Sequence, residues 1–314
     1  MLHKIVIFGA GAVGEATALE LAKGQYAQEL LLVDVAPGLA AGIALDIHHA
    51  STIHGFDTEV SGTNDAREIK NADLVIITAG APRRPGMSRT DLLHTNAAII
   101  REIIAKVAEN APDALLIMVT NPADILTYYS WRLLEWPRER IMGMSGVLDS
   151  ARMAAYIADQ AKCSVKNVTA MVIGGHGDTM VPLTEYSYIN GIPITQFLSD
   201  GIIRDLTERT RKSGTEILNL KKRGTACLAP AASISLMVDA IVNNRKRILP
   251  SIGLLDGEYG LTDIALCVPC QFGKNGLEKI VELPLTDSEL ALLEHSIADL
   301  KNDIVKLNQF IESQ

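Results

Sequence analysis

Residues 4–14 read KIVIFGAGAVG, a short β-branched run that enters G-x-G-x-x-G at Gly9, Gly11 and Gly14 with no spacer. The residues that follow, VGEATALELAKG (13–24), carry apolar side chains at helical spacing and end on Gly24. Three glycines alone make no more than a turn. Between a strand and a helix they allow a tight turn, let a phosphate group approach the backbone, and let the helix pack closely on the strand. The helix N-terminus then offers N–H groups and the positive end of its dipole to an anion. Asp34 lies 20 residues beyond Gly14, at the end of a second apolar run, ELLLVDV (29–35). A carboxylate there accepts both ribose hydroxyl hydrogens and repels a 2′-phosphate, so the pattern predicts a site for NAD rather than NADP.

The alternation continues along the first half. ADLVIITAG (72–80) and ALLIMVTNP (114–122) are further apolar runs, separated by DLLHTNAAIIREIIAKVAENAP (91–112), which has helical periodicity. Strands that are apolar throughout belong to a parallel sheet covered on both faces. The fold class predicted is therefore α/β, with a doubly wound parallel sheet (Rossmann) forming an N-terminal domain over residues 1–145. The pattern changes near residue 145. A helix over 148–162, a strand–turn–strand over 168–183, an amphipathic helix over 204–220 with Gly214 as its point of kinking, and a helix over 230–244 precede a strand-rich stretch up to about 284. These predict a C-terminal α+β substrate domain over 146–314. Thr286 and Glu289 fit a capping box that opens a last helix. Its apolar residues, Leu290, Leu293, Ile297, Leu300, Ile304, Leu307 and Ile311, form a stripe that suits either a partner or the chain's own domain, and the second is the commoner use.

Composition narrows the partners. The net charge of −8, the absence of a Lys/Arg run and an aromatic content of 4% disfavour nucleic acid and anionic membranes. No apolar run reaches about 18 residues, and the N-terminus does not read as a secretory leader. Four cysteines in 314 residues, Cys163, Cys227, Cys267 and Cys270, fit a reducing cytoplasm, the predicted location. Cys267 and Cys270 form C-x-x-C, but within DIALCVPCQFG, which reads as a strand. Residues three apart on a strand face opposite sides, so these are predicted to be packing cysteines. His48, His49 and His54 join no metal-ligand spacing, and no metal site is expected.

The chemistry is expected where the apolar runs end, because open α/β sheets bind ligands at the C-terminal ends of their strands. Asn121 and Pro122 follow the fourth run. The loop after the third carries Arg83, Arg84 and Arg89 among Pro82, Pro85 and Gly86, and arginine's paired donors match a carboxylate. In LDSAR, Asp149 and Arg152 share one side of a helix. They form either a plain salt bridge or part of a site with His176, which stands between glycines in GGHGDTMVPL (174–183). In that second reading Asp149 orients the imidazole and favours its charged form, leaving Arg152 to grip a substrate carboxylate.

Taken together, GAGAVG, ITAGAPRRPGMSR, VTNPAD, GVLDSAR, GGHGDTMVPL, APAAS and EYGLTDIALCVPCQFGKNGLEKIVELPL resemble the lactate/malate dehydrogenase family over essentially the whole chain. The closest likeness is to its lactate-dehydrogenase-like, NAD-dependent malate-oxidising group. The resemblance implies reversible oxidation of a 2-hydroxy acid, with His176 as proton acceptor and donor and Asp149 as its partner. It implies that Arg152 binds the C1 carboxylate, that Arg89 closes on the substrate and polarises its carbonyl, and that Asn121 contacts substrate and nicotinamide. Arg83 would read the far end of the substrate. A buried arginine facing a methyl group lacks a partner, whereas one facing a second carboxylate is paired, so malate and oxaloacetate fit best. The cofactor contacts implied are Gly9, Gly11, Val13, Gly14, Asp34, Thr78, Ala79, Gly80, Asn96, Val119 and Asn121, and a homodimer or homotetramer is expected. Cys227 and Leu228 depart from the two tyrosines that relatives often carry. Two other readings stay open: a lactate or other 2-hydroxyacid dehydrogenase, and a catalytically silent NAD-binding module.

Overall fold

The apolar runs become the central strands of a parallel sheet. A computed structural model describes residues 1–82, 88–222 and 224–312. In chain order the first half contains β1 (Leu2–Phe8), α1 (Ala12–Gly24), β2 (Ala27–Val33), α2 (Leu39–His54), β3 (Glu59–Thr63), β4 (Leu74–Ile77), α3 (Arg89–Asn110), β5 (Leu115–Met118), α4 (Ala123–Leu134) and β6 (Ile141–Gly143). The strands lie in the order β3-β2-β1-β4-β5-β6, each parallel to its neighbour. Ile5, Val6, Ile7 and Leu74 to Ile77 have no exposed surface, as expected of strands covered on both faces. The order reverses between β1 and β4, and the crevice at their C-terminal ends is where such a sheet takes a ligand. β3 and β6 are not legible as apolar runs. The first is a half-exposed strand at the sheet's edge, and the second is three residues long.

The second half contains α5 (Gly146–Ala161), β7 (Val168–Ile173), β8 (Val181–Ile189), β9 (Ile192–Pro193), α6 (Asp200–Lys221), α7 (Leu228–Val242), β10 (Arg247–Asp256), β11 (Thr262–Gly273), β12 (Gly276–Ile280) and α8 (Asp287–Glu312). β7, β8 and β9 form a separate antiparallel sheet, and α6 runs as one helix through Gly214. β10 pairs antiparallel with β6 through Ile252 and Gly143, and β11 and β12 follow it outward. The strand-rich stretch thus lengthens the first half's sheet to nine strands among the described residues. α8 packs on α3, α4 and β8 with Leu293, Leu300 and Leu307 buried. Its capping box is formed: Thr286 Oγ1 accepts the Glu289 amide at 3.3 Å, and the Glu289 carboxylate accepts the Thr286 amide at 3.1 Å. Cys267 and Cys270 are both buried and unpaired on β11. The Cys267 thiol turns to the Val172 carbonyl and that of Cys270 to the Ser251 carbonyl, and burial pushes both thiols up, which suits packing rather than redox exchange.

Candidate active site

The first component is the crevice beside β1. Gly9 has φ +96°, a conformation that favours glycine, and a Cβ there would lie 2.6 Å from the Ala79 amide nitrogen. At Gly14 a Cβ would lie 1.9 Å from the Gly9 carbonyl oxygen, so α1 packs against the turn only because that side chain is missing. Gly11 has open space around it and caps α1 without any side-chain bond to the helix's first amides. Those amides are available to a phosphate. The cleft has a volume of about 730 Å³, and Gly9, Gly11, Asp34, Thr78, Ala79 and Gly80 belong to its wall. The Asp34 carboxylate accepts the amides of Ala10 at 2.7 Å and Ala36 at 2.9 Å, which fixes the acid in that wall and leaves lone pairs. These residues fit a dinucleotide. Val13, Gly14, Asn96, Val119 and Asn121 stand outside the wall.

Asn96 ties two loops together. Buried on α3, it accepts the Ala81 amide through Oδ1 at 2.7 Å and donates Nδ2 to the Asn121 carbonyl at 2.7 Å. Thr120 Oγ1 donates to the Ala79 carbonyl at 2.7 Å. The loops after β4 and β5 are thereby tied together, and Asn121 is held at the C-terminal end of the sheet.

The second component is the turn between β7 and β8. Gly174 has φ +81° and Gly177 φ +142°. Three successive amides of this turn are held by three different elements. Gly174 donates to the Cys267 carbonyl of β11 at 2.9 Å, Gly175 to Ser296 Oγ of α8 at 2.7 Å, and His176 to Asp124 Oδ2 of α4 at 2.9 Å. So pinned, the imidazole meets α5: His176 Nδ1 lies 2.8 Å from Asp149 Oδ2, and Arg152 Nη1 lies 3.1 Å from Asp149 Oδ1. Asp149 is almost wholly buried, and Arg152 Nε is buried with no partner among the described residues. Burial alone would loosen the imidazolium's hold on its proton. The charge and hydrogen bond of Asp149, with the charge of Asp124, outweigh burial and the opposing Arg152, so the His176 pKa is raised. Asp124 is itself 3% exposed, and its Oδ1 has no partner among the described residues. Burial pushes its carboxyl up to about 6, against the His176 amide and charge, which lower it.

The structure thus brings His176, Asp149 and Arg152 together, with Asn121 on the loop that leads into Asp124. Arg83 lies outside the described residues. Arg89 opens α3, and its side chain also lies outside them. Cys227 and Leu228 line a separate groove with residues of α1 and α2. His48, His49 and His54 are exposed on α2, and among the described residues no group of His, Cys, Asp or Glu is arranged to hold a metal. In the sequence, neither Asp124 nor Ser296 carries a signal for its place in the site. Asp124 reads there as an ordinary acid at a helix start, and Ser296 as a polar position on a packing helix.

A doubly wound sheet with a crevice at the glycine turn after β1, together with a buried histidine backed by a carboxylate, is the arrangement of dinucleotide-dependent oxidoreductases. The family model for the lactate/malate dehydrogenase NAD binding domain matches residues 3–143, and that for the family's alpha/beta C-terminal domain matches residues 146–311. The malate dehydrogenase of Thioalkalivibrio sulfidiphilus is 51% identical over 306 residues, covering 98% of this chain and all of that protein. The 1.55 Å resolution structure of malate dehydrogenase from Salinibacter ruber superposes with a TM-score of 0.94 at 39% identity, covering 99% of both chains. The lactate dehydrogenase of Cryptosporidium parvum, solved with lactic acid and nicotinamide adenine dinucleotide, gives 0.93 at 36% identity, covering 98% of both. The chain belongs to the lactate/malate dehydrogenase family.

Proposed function

We propose that this protein is an NAD-dependent malate dehydrogenase that interconverts (S)-malate and oxaloacetate, with residues 1–145 holding the cofactor and 146–314 supplying the catalytic groups. The observation that carries the reading is the His176–Asp149–Arg152 cluster. When bound, NAD supplies the acceptor for the hydride that leaves C2 of the substrate. With Nδ1 engaged by Asp149, His176 takes the C2 hydroxyl proton at Nε2 in malate oxidation and returns it in oxaloacetate reduction. Asp149 keeps the ring in the required tautomer and favours the imidazolium. The unspent Arg152 donors suit the C1 carboxylate, and Arg89 and Arg83 are assigned, from the motif they stand in, to the carbonyl oxygen and the second carboxylate. Asp34 supports NAD over NADP, since a 2′-phosphate would face its carboxylate.

The lactate dehydrogenase fold is nearly the same, so architecture does not separate the two substrates; Arg83 is the residue that favours a dicarboxylate. A silent NAD-binding module would not need this buried ion cluster, whose burial is costly. A homodimer or homotetramer in the cytoplasm is part of the proposal. The four unpaired cysteines support the compartment. Among the described residues no helix is long and apolar enough to cross a membrane. The deciding experiment is NADH oxidation by the purified protein with oxaloacetate and, separately, with pyruvate. Strong preference for oxaloacetate is expected, and preference for pyruvate would overturn the substrate assignment while leaving the His176 chemistry standing.

A further inference from the structure

Of the three amides that hold the catalytic turn, two use neutral acceptors, the Cys267 carbonyl and the Ser296 hydroxyl. The third, at His176, uses a carboxylate. A neutral acceptor would also hold that amide, as it does the other two. A buried carboxylate with one oxygen unpartnered is a costly substitute, so a hydrogen bond alone does not account for it. The charges around the ring do. Asp149 is shared between His176 and Arg152, and the charges of Asp149 and Arg152 offset one another at 3.1 Å. Without a further anion, an imidazolium here would leave the cluster with a net positive charge out of water. Asp124 brings the cluster with a protonated ring back to neutrality.

We infer that Asp124 is a positioning residue for His176: it fixes the main chain that aims the imidazole at Asp149, and it supplies the negative charge that Arg152 cancels on Asp149. The inference rests on the proton-transfer role proposed for His176. The raised pKa of the ring, to which Asp124 contributes, agrees with it. Among the described residues, the titratable and charged groups facing the pair are few. α5 brings Asp149 and Arg152. β11 brings the Cys267 thiol, held neutral by burial, and α8 brings only the neutral Ser296.

The test is Asp124→Asn in the full chain, which preserves shape and an acceptor oxygen but removes the charge. With histidines labelled at Cε1 and His176 assigned from its absence in His176→Asn, NMR titration should show the His176 midpoint falling by about one pH unit. The basic limb of kcat for oxaloacetate reduction should move by the same amount. Turnover above the midpoint then falls about tenfold, with little change on the acid side. An unmoved His176 midpoint, or an equal loss of kcat at every pH, would overturn the charge role. The NMR result is independent of substrate: if the wild-type protein did not reduce oxaloacetate, the malate reading would fail while the titration still decided the place of Asp124. Should Asp124→Asn not fold, carboxyl-labelled wild-type protein serves instead. Asp124 and His176 are expected to titrate as a coupled pair, each inflecting the other's resonance, and independent single-step curves would refute the inference.

Discussion

His176 Nδ1 lies 2.8 Å from one oxygen of Asp149, and Arg152 Nη1 lies 3.1 Å from the other. One buried carboxylate therefore orders both the group that moves the proton in the proposed function and the group proposed to bind the substrate carboxylate. The two partners come from different elements, the β7–β8 turn and the α5 helix, so the docking of the turn onto α5 assembles the site.

Replacing His176 tests this assignment most directly. Asparagine keeps a polar side chain of similar reach but cannot cycle a proton at Nε2. His176→Asn should lower turnover with oxaloacetate about 1,000-fold. NADH binding, followed by fluorescence, should be unchanged, because the cleft wall is built from the ends of β1 and β2, the loops after β1, β2, β3 and β4, and α3. Retained turnover would rule out the proposed proton transfer.

Asp34 does two things at once. It faces the cleft, and its oxygens hold the amides of Ala10 and Ala36 at 2.7 and 2.9 Å. Asp34→Ser should relax the preference for NADH over NADPH by about 100-fold, through loss of charge repulsion. It should also cost about 2 kcal/mol of stability, since charge-assisted bonds to the turn are lost. Coenzyme kinetics and denaturant unfolding measure the two separately. An unchanged coenzyme ratio would remove Asp34 from the specificity argument.

Much of this was legible in the sequence because it rests on local pattern. The β1–glycine turn–α1 unit, the apolar strands and the Thr286 capping box are each written within a few adjacent residues. The i, i+3 spacing of Asp149 and Arg152 already put them on one helix face. What escaped was the product of long-range contact. Nothing near Asp124 in sequence marks it as the residue that meets His176, 52 positions later, or Ser296 as the one that meets Gly175, 121 positions away. The union of β10 with β6 is hidden for the same reason: strand pairing across more than 100 residues leaves no local signature. The tie that Asn96 makes between the Ala81 and Asn121 backbones is likewise a long-range contact with no local signature.

Arg83 carries the choice of substrate in the proposed function. An arginine buried against a methyl group would be an unpaired charge, and one facing a carboxylate is satisfied. Arg83→Gln should lower kcat/KM for oxaloacetate by about 100-fold or more and raise that for pyruvate. Paired steady-state assays on one preparation check this. If the ratio of the two substrates did not move, specificity would have to be sought in other residues.

The buried carboxyl of Asp124 makes a prediction about stability that needs no substrate. Its pKa rises from the ordinary 3.8 to about 6 in the folded chain, chiefly through burial. The folded state therefore binds more protons than the unfolded state across that window, and stability falls as pH rises through it. His176 acts in the same direction: with its folded pKa raised above the ordinary 6.5, it adds stability that is full below pH 6.5 and lost as pH rises through the folded value. At about 1.4 kcal/mol per pH unit, the Asp124 contribution is roughly 3 kcal/mol. Asp124→Asn removes the titrating group. Its stability relative to wild type should therefore rise by roughly 3 kcal/mol between pH 4 and pH 7, whatever the offset at any one pH. Urea unfolding of both proteins at half-unit pH intervals gives the difference directly. A difference that stays flat across the window would mean that Asp124 is as easily ionised in the folded chain as in the unfolded one, and that water or a neighbouring donor reaches the oxygen left unpartnered beside His176.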